Sequence, residues 1–158
     1  MATSRFQFVI HSYSHSIRGI NLDNINSLIR QLNPKNEPIN EEMLKEVVKN
    51  SIFITIYDRT MPLDKGGYQD IGIAQLSVIQ KLTGRQGKID DVIINEAHRG
   101  QGLGERLMKV IIKKAKQLKL DSLELTTNPK RGAANALYQK MGFVPRETNV
   151  YRLNLTED

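Results

Sequence analysis

A short glycine-rich segment, Arg99-Gly100-Gln101-Gly102-Leu103-Gly104, restricts the fold more than any other feature of the sequence. It follows an apolar stretch typical of a strand and opens an amphipathic stretch typical of a helix. The first N–H groups of a helix lack partners within the helix, and the helix dipole is positive at that end. Glycines let the backbone approach an anion without an intervening Cβ atom. The segment therefore predicts a cradle for a pyrophosphate at a helix N-terminus, with Arg99 as a charged donor at its rim.

Two other phosphate-binding loops are excluded by the spacing of these glycines. A P-loop would end in Gly-Lys followed by Ser or Thr, whereas Gly104 is followed by Glu105 and Arg106. A dinucleotide-binding loop would read G-x-G-x-x-G directly after its strand, and the only acid near the required distance, Glu124, lies inside a predicted strand. A turn without a ligand would use the same glycines, so the glycines alone leave a binding loop and a plain connection both open.

The apolar pattern along the rest of the chain predicts an α/β fold with a mixed sheet covered by helices. Alternating apolar residues indicate a first strand around 6–10, and Asn21 or Asp23 and then Asn40 are placed to cap two helices. The later elements are strands over 51–57, 71–79 and 88–95, a turn over 83–87, a helix from Gly102 to about 119, a strand at 123–125, a helix ending at Gly142, and one or two strands over 143–155.

Composition removes several classes of site. The chain has no cysteine, which excludes disulfides, thiolate nucleophiles, cysteine-based zinc sites and iron–sulfur clusters. Its three histidines lack the spacing of a metal site or a catalytic triad, so no metal is expected. With 158 residues the chain is long enough for one substantial core, and a single domain over 1–158 is expected.

The charge and the apolar runs bear on partners and location. The net charge of +6 is compatible with an anionic partner, but the sequence has no helix-turn-helix or RNA-binding signature, so no nucleic acid is expected. No apolar run has the length of a signal-peptide core or of a membrane span. A cytoplasmic protein without a membrane partner is therefore expected.

Two stretches, in order along the chain, resemble motifs of one enzyme family. Arg99-x-x-Gly102-x-Gly104 matches the Gln/Arg-x-x-Gly-x-Gly/Ala signature of the GNAT acetyltransferases, and the apolar strand Asp91-Val92-Ile93-Ile94-Asn95 precedes it. The stretch from Asn135 to Phe143 resembles the second motif of the family. The resemblance is strong over about 88–143 and implies the GNAT fold: a central mixed, mostly antiparallel sheet of six to seven strands flanked by about four helices.

The resemblance implies acetyl-CoA as the cosubstrate. In the family the pantetheine arm lies in an opening between the fourth and fifth strands, where it bonds to the backbone as an added strand would. Carried over to this chain, Ile93 and Ile94 supply backbone groups for the arm. The pyrophosphate is then held by Arg99, Gly100, Gln101, Gly102, Leu103 and Gly104. Many members carry an asparagine seven residues before the motif tyrosine, where this chain has Arg131; Asn135 is expected to contact CoA, with Arg131 and Lys130 as alternatives.

The resemblance also implies direct attack of an amine on the thioester, without an acyl-enzyme. Tyr138 occupies the position of the family's general acid near the CoA sulfur, although core packing is the more common role of a helical tyrosine. Asp90 is the candidate base, or the anchor of a water relay, because Asp90 and Asp91 are acids in a strand that otherwise reads as buried. Successive strand residues point to opposite faces, so at most one of the two faces a given cleft. Structural hydrogen bonding by both acids is the competing interpretation.

The sequence therefore predicts an N-acetyltransferase that transfers the acetyl group of acetyl-CoA to a primary amine of a small molecule or a peptide. The alternative is a GNAT-like module that binds acyl-CoA as a sensor without turnover, and Tyr138 favours catalysis over that alternative. The acceptor amine is not readable, because acceptor pockets of the family lie in variable segments, which here are 33–40, 61–68 and 144–150. A homodimer is compatible with the sequence, which does not fix the oligomeric state.

Overall fold

The structure is a computed structural model, and it describes residues 4–12 and 16–155 of the chain. The elements follow one another in the order β1 (Phe6–Ser12), α1 (Leu22–Leu32), α2 (Glu41–Asn50), β2 (Ile52–Pro62), β3 (Tyr68–Lys81), β4 (Gly84–Ile94), a 3₁₀ turn (Glu96–His98), α3 (Leu103–Gln117), β5 (Ser122–Leu125) and α4 (Gly132–Lys140). The chain divides into two compact units, Met1–Thr126 and Thr127–Asp158. The first unit contains the sheet and α1 to α3, and the second contains α4.

The sheet is mixed, and its spatial order β1-β2-β3-β4-β5 follows the order of the strands along the chain. Each neighbouring pair of strands from β1 to β4 is antiparallel, and β5 pairs parallel to β4. The described residues thus form five strands, fewer than the predicted six to seven. The difference lies at residues 143–155, where the pattern predicted one or two strands and the structure has none. An extended segment becomes a strand only when a neighbour satisfies its N–H and C=O groups, and no ladder includes these residues.

The two predicted helix caps are confirmed. The side-chain oxygen of Asn21 accepts a hydrogen bond from the Asn24 N–H at 2.9 Å, and that of Asn40 accepts one from the Met43 N–H at 2.9 Å. Each cap satisfies one of the N–H groups that a helix leaves unpaired at its start. Asn21 rather than Asp23 begins α1, and Asp23 lies in the first turn.

Apolar residues cover both faces of the sheet. On one face, residues from α1 and α2 pack with strand residues in a single cluster, formed by Ile25, Leu28, Leu44, Val48, Phe53, Ile73 and Ile93. The buried residues of α3 lie outside this cluster, and α3 contacts β4. We infer that α3 covers the opposite face, which gives the first unit a three-layer arrangement of helix, sheet and helix.

The predicted turn over 83–87 is wrong, because β4 already begins at Gly84. Only Leu82 and Thr83 connect β3 to β4, since Lys81 pairs with Gly84. Gly87 lies inside the strand, where a Cβ atom would stand 2.5 Å from Cδ2 of Leu123. This glycine serves close packing within the sheet and not a change of direction.

Candidate active site

β4 has an open edge over residues 90–94. Its parallel pairing with β5 begins at Gln86, which lies opposite Ser122, and ends at Ile89, which lies opposite Leu125. β5 stops at Leu125, whereas β4 continues to Ile94. Among the described residues, no strand pairs with residues 90–94 on the side where β5 lies. This end of β4 therefore offers backbone N–H and C=O groups to an extended ligand, as a sheet edge does to an added strand.

A β-bulge coincides with the start of this open edge. Asp90 lies opposite Gln75 and Ile93 opposite Ile73, so that Asp91 and Val92 together face a single residue of β3. Asp91 adopts a left-handed conformation with φ of 50°, which is uncommon for a residue other than glycine. A bulge bends its strand and increases the local twist. We infer that this bend turns β4 away from β5 and produces the opening.

Backbone hydrogen bonds determine which residues face the open edge. The Asn95 N–H donates to the Ile71 carbonyl of β3 at 2.8 Å. Backbone groups alternate in direction along a strand, so those of Ile93 face β3, while those of Val92 and Ile94 face the open edge. The sequence analysis assigned the edge to Ile93 and Ile94, and the register favours Val92 and Ile94. The carbonyl oxygen of Ile94 accepts a hydrogen bond from Nε of Arg99 at 3.1 Å.

The two acids of β4 are less buried than their strand context suggested. Asp91 is exposed, and the side chain of Asp90 is 37% exposed, with Oδ1 at 3.5 Å from Nζ of Lys88. Asp91 reaches solvent, but the surrounding protein still desolvates its carboxyl and so raises the pKa of that group. The negative charge of Asp90 raises the pKa of Asp91 further, and the positive charge of Lys88 lowers it. The bulge also places Asp90 on the same face as Ile93, three residues later, because cross-strand partners share a face.

The glycine loop, residues 99–104, follows the 3₁₀ turn and leads into α3. Gly100 and Gly102 have φ of 76° and 71°, and no atom lies within 4 Å of the position that a Cβ would take at either residue. No described residue accepts a hydrogen bond from the backbone N–H groups of Gly100, Gln101, Gly102, Leu103 or Gly104. Open space, glycine conformations and unused N–H donors at a helix N-terminus are what a pyrophosphate requires, so the loop fits that group.

An ion-pair network centred on the buried Asp58 contacts the residue before the loop, and the sequence analysis did not predict it. The side chain of Asp58 is fully buried in β2 and accepts two hydrogen bonds from Nε of Arg5 and a 2.6 Å bond from Nη2 of the same guanidinium. The Thr60 N–H and hydroxyl donate to Oδ1 of Asp58 at 2.9 and 2.7 Å. Hydrogen bonds from Arg5 hold the pKa of Asp58 well below its usual range, against the opposing effect of burial. His98, the residue before the loop, places Nε2 3.4 Å from Oδ2 of Asp58.

The second compact unit contains the remaining predicted site residues. Tyr138 lies on α4, half-buried, with its ring 6.1 Å from that of Phe143 in an edge-to-face arrangement. Burial raises the pKa of Tyr138, and Arg131 partly opposes that rise. The side-chain nitrogen of Asn135 donates to the carbonyl groups of Asn128 and Arg131 at 3.1 and 2.8 Å. This amide therefore secures the start of α4 within its own unit.

The described part of the chain has neither a cluster of metal ligands nor a membrane-spanning helix. In residues 4–12 and 16–155, no three His, Cys, Asp or Glu side chains come together as metal ligands would. No helix in those ranges is both long and apolar enough to cross a membrane.

Comparisons with known proteins agree with these motifs. A family model described as the acetyltransferase (GNAT) family matches residues 34–143. The uncharacterized N-acetyltransferase YobR of Bacillus subtilis (strain 168) is 28% identical over 86 residues, which are 54% of this chain and 34% of that protein. The match thus spans about a third of the length of that relative.

Solved structures share the fold at low sequence identity. A putative acetyltransferase from Agrobacterium tumefaciens str. C58 superposes with a TM-score of 0.69 and 21% identity, over 88% of this chain and 99% of that one. A structure described as a transcriptional regulator from Bacillus halodurans C-125 has a TM-score of 0.75 and 22% identity, over 94% and 100%. At such identities the likeness concerns the fold, whereas the family model covers most of the chain, including the open edge of β4, the glycine loop and α4. The chain belongs to the GNAT family of acetyltransferases.

Proposed function

We propose that this protein is an N-acetyltransferase that transfers the acetyl group of acetyl-CoA, the cosubstrate of its family, to a primary amine of a small molecule or a peptide. The observation that carries the proposal is the unused N–H groups of residues 100–104, which one short 3₁₀ turn separates from the open edge of β4. A pyrophosphate and an extended amide-containing arm need these two features next to each other. Residues 1–158 act as one catalytic domain in this proposal, which the superposition of solved structures over 88% or more of the chain supports.

The glycine loop binds the pyrophosphate, and the open edge of β4 binds the pantetheine arm. The N–H groups of residues 100–104 donate to phosphate oxygens, and Arg99 adds a positive charge at the rim. Val92 and Ile94 offer backbone groups to the arm, while Ile93 remains in the ladder with β3 and packs in the core. Because the side-chain nitrogen of Asn135 already donates to two carbonyl groups, its proposed contact with the cosubstrate is through its side-chain oxygen.

The proposed chemistry is a direct transfer. Acetyl-CoA supplies a thioester whose carbonyl carbon forms a bond to the amine nitrogen as its C–S bond breaks. Asp90, partly exposed at the start of the open edge, takes the proton that the amine loses, directly or through water. Tyr138 gives its phenolic proton to the departing sulfur. A raised pKa keeps the phenol of Tyr138 protonated at neutral pH, as a general acid must be.

Release of the CoA thiol, measured with a panel of amines, tests the proposal, and the mass of the acetylated product identifies the acceptor. We expect Tyr138→Phe to bind acetyl-CoA as the wild-type protein does and to lower kcat by about 10²–10⁴-fold, the usual effect of losing a general acid. Tight acetyl-CoA binding without thiol release by any amine would instead indicate a sensor module. Unchanged kcat in Tyr138→Phe, with the chemical step limiting, would assign the side chain to packing.

A further inference from the structure

A buried residue lies at each end of the exposed part of the glycine loop. His98 is 7% exposed and Leu103 is 1% exposed, whereas the four residues between them are all solvent-exposed. Leu103 is fixed by the packing of α3, an ordinary apolar contact. His98 is fixed differently, because a buried imidazole next to a carboxylate needs polar partners. The position of the loop therefore depends on what holds His98.

The turn that contains His98 is attached to three separate elements. From α1, the side-chain oxygen of Gln31 accepts a hydrogen bond from the Glu96 N–H at 3.0 Å. From β4, the Ile94 carbonyl accepts a hydrogen bond from Nε of Arg99. From β2, Asp58 lies opposite Nε2 of His98. Of these three contacts, the one to β2 uses a fully buried charge, and it joins the loop to the interior of the sheet.

The environment of His98 is asymmetric. Its ring meets the ring of Phe6 edge-on, with centroids 6.4 Å apart, and Nε2 faces Asp58. The carboxylate of Asp58 can only accept hydrogen bonds, so it suits an N–H at Nε2. Nδ1 is buried and has no hydrogen-bond partner among the described residues. Of the two ring nitrogens, only Nε2 has a polar partner among the described residues, the carboxylate that Arg5 and Thr60 already fix.

We propose that His98 is a positioning residue for acetyl-CoA binding: its contact with the buried Asp58 holds the glycine loop where its N–H groups meet the pyrophosphate. The inference rests on the proposed function, since it concerns the same loop. A loop that is already in its binding conformation loses less entropy when the ligand arrives, so the contact acts on affinity and not on the chemical step.

Two variants of His98 separate positioning from packing. His98→Leu fills a similar volume and removes the donor, whereas the amide nitrogen of His98→Gln reaches the place of Nε2 and donates to Asp58. We expect His98→Leu to raise the Kd of acetyl-CoA about tenfold, because the loop loses its polar contact with the buried carboxylate, with kcat unchanged at saturation. His98→Gln should return the Kd to near the wild-type value. Calorimetric titration gives Kd, thiol release gives kcat and KM, and the exposed Lys116→Ala on α3 is the unrelated control.

The outcomes distinguish this inference from the proposed function. If the wild-type protein binds no acetyl-CoA, the proposed function fails. A second outcome is that the wild-type protein binds acetyl-CoA and that Arg99→Ala weakens this binding, whereas a folded His98→Leu variant binds as tightly as the wild type. That outcome would overturn only the role of His98. Equal loss of affinity in the Leu and Gln variants would also overturn it, because the donor would then be irrelevant.

A measurement on the wild-type protein covers the case in which His98→Leu does not fold. The imidazole ¹⁵N signals of His98 should shift as acetyl-CoA saturates the site, because the pyrophosphate brings negative charge to the loop that directly follows the ring. Those of His11, which contacts Thr55 on the other side of β2, serve as the internal reference and should not shift. Unmoved His98 signals at saturation would overturn the inference.

Discussion

Gly102 and Gly66 form a matched pair for testing the anion cradle. Both have positive φ, 71° and 86°, and neither has an atom within 4 Å of the position of a Cβ. A side chain at either residue is therefore strained by its backbone and not by crowding, at a cost of about 1–2 kcal/mol. Gly102→Val also puts carbon atoms into the cradle, so we expect a folded protein that no longer binds acetyl-CoA.

Melting temperature and calorimetric Kd check this expectation. Gly66→Val, in the connection between β2 and β3, should lose a similar amount of stability and keep the wild-type Kd. Wild-type affinity in Gly102→Val would remove the pyrophosphate from this loop.

Asp70 contributes to the dependence of stability on pH in the acidic range. It is 2% exposed and accepts a hydrogen bond from the Asn21 N–H at 3.0 Å. Burial raises the pKa of Asp70 to about 6, an effect that the hydrogen bond from Asn21 only partly offsets. A carboxyl in the unfolded chain titrates near pH 3.9, so between about pH 4 and 6 the native state binds the additional proton. The stability that Asp70 contributes is thus full below about pH 4 and is lost as the pH rises through about 6.

Asp70→Asn should therefore stabilise the protein at pH 7 and not at pH 4. The carboxamide oxygen still accepts from Asn21, and the buried charge is gone. We expect the free energy of unfolding at pH 7 to rise by up to about 3 kcal/mol, the equivalent of the pKa shift. Urea unfolding of both proteins at pH 4 and pH 7 measures the difference. Equal destabilisation at the two pH values would contradict this prediction, because the ionisation of Asp70 would then make no difference to stability.

Residues that act through local sequence were predictable, and those that act across the sheet were not. The glycine loop was identified because its glycines, its charge and the following helix are adjacent in sequence. The contact of His98 with Asp58 joins residues of different elements, and it depends on how β2 and the turn after β4 are placed. A single Asp after the predicted strand over 51–57 was the only sequence signal of that network.

Among the elements, β4 offers the most direct test of how the opening beside it forms, because its bulge consists of one additional residue. Deleting Asp91 leaves Val92 alone opposite β3, with Asp90 and Ile93 still facing Gln75 and Ile73. The ladder then becomes regular and every side chain keeps its face, so the protein should fold. Without the bend, β4 no longer turns away from β5, and the opening between the two strands becomes narrower. We expect acetyl-CoA affinity to fall severely.

Asp91→Gly is the matched control for this deletion, since it keeps the additional residue and suits the left-handed conformation. It should bind acetyl-CoA with the wild-type Kd and gain about 1 kcal/mol of stability or more by relieving strain. If the deletion variant bound acetyl-CoA normally, the bulge would not be the cause of the opening.

The elements that the sequence predicted well are those with strong local signals. Asn21 and Asn40 cap their helices because a cap bonds to the backbone only three residues later. The bulge left no local signal, since Asp91 is not a glycine, and it changed the exposure expected for both acids of β4. Gly87 was misread as part of a turn because glycine is used both in turns and where neighbouring side chains leave no space. The leucines that crowd it lie elsewhere in the sequence.

For the whole molecule, the net charge of +6 predicts an effect of salt on cosubstrate binding. A cationic protein attracts an anionic ligand before contact and so raises the association rate. Salt shortens the distance over which this attraction acts, because the Debye length falls from about 30 Å at 0.01 M to about 8 Å at 0.15 M. Stopped-flow association of acetyl-CoA should therefore slow over this range. Acetyl-pantetheine, which lacks the phosphates, is the control ligand and should associate at a salt-independent rate; the same dependence for both would exclude steering by charge.

The bulge in β4 also has a consequence for how the protein can change over evolution. Ile89 lies opposite Leu76 and Ile93 opposite Ile73, so the additional residue between them puts the two isoleucines on opposite faces of the sheet. Ile93 belongs to the cluster with α1 and α2, and Ile89 is buried outside it. A substitution at Ile93 is thus expected to require compensation from α1 or α2, and one at Ile89 from the opposite layer. β4 thus supplies side chains to the core on both faces of the sheet, and we expect the residues of each core layer to vary independently of those in the other.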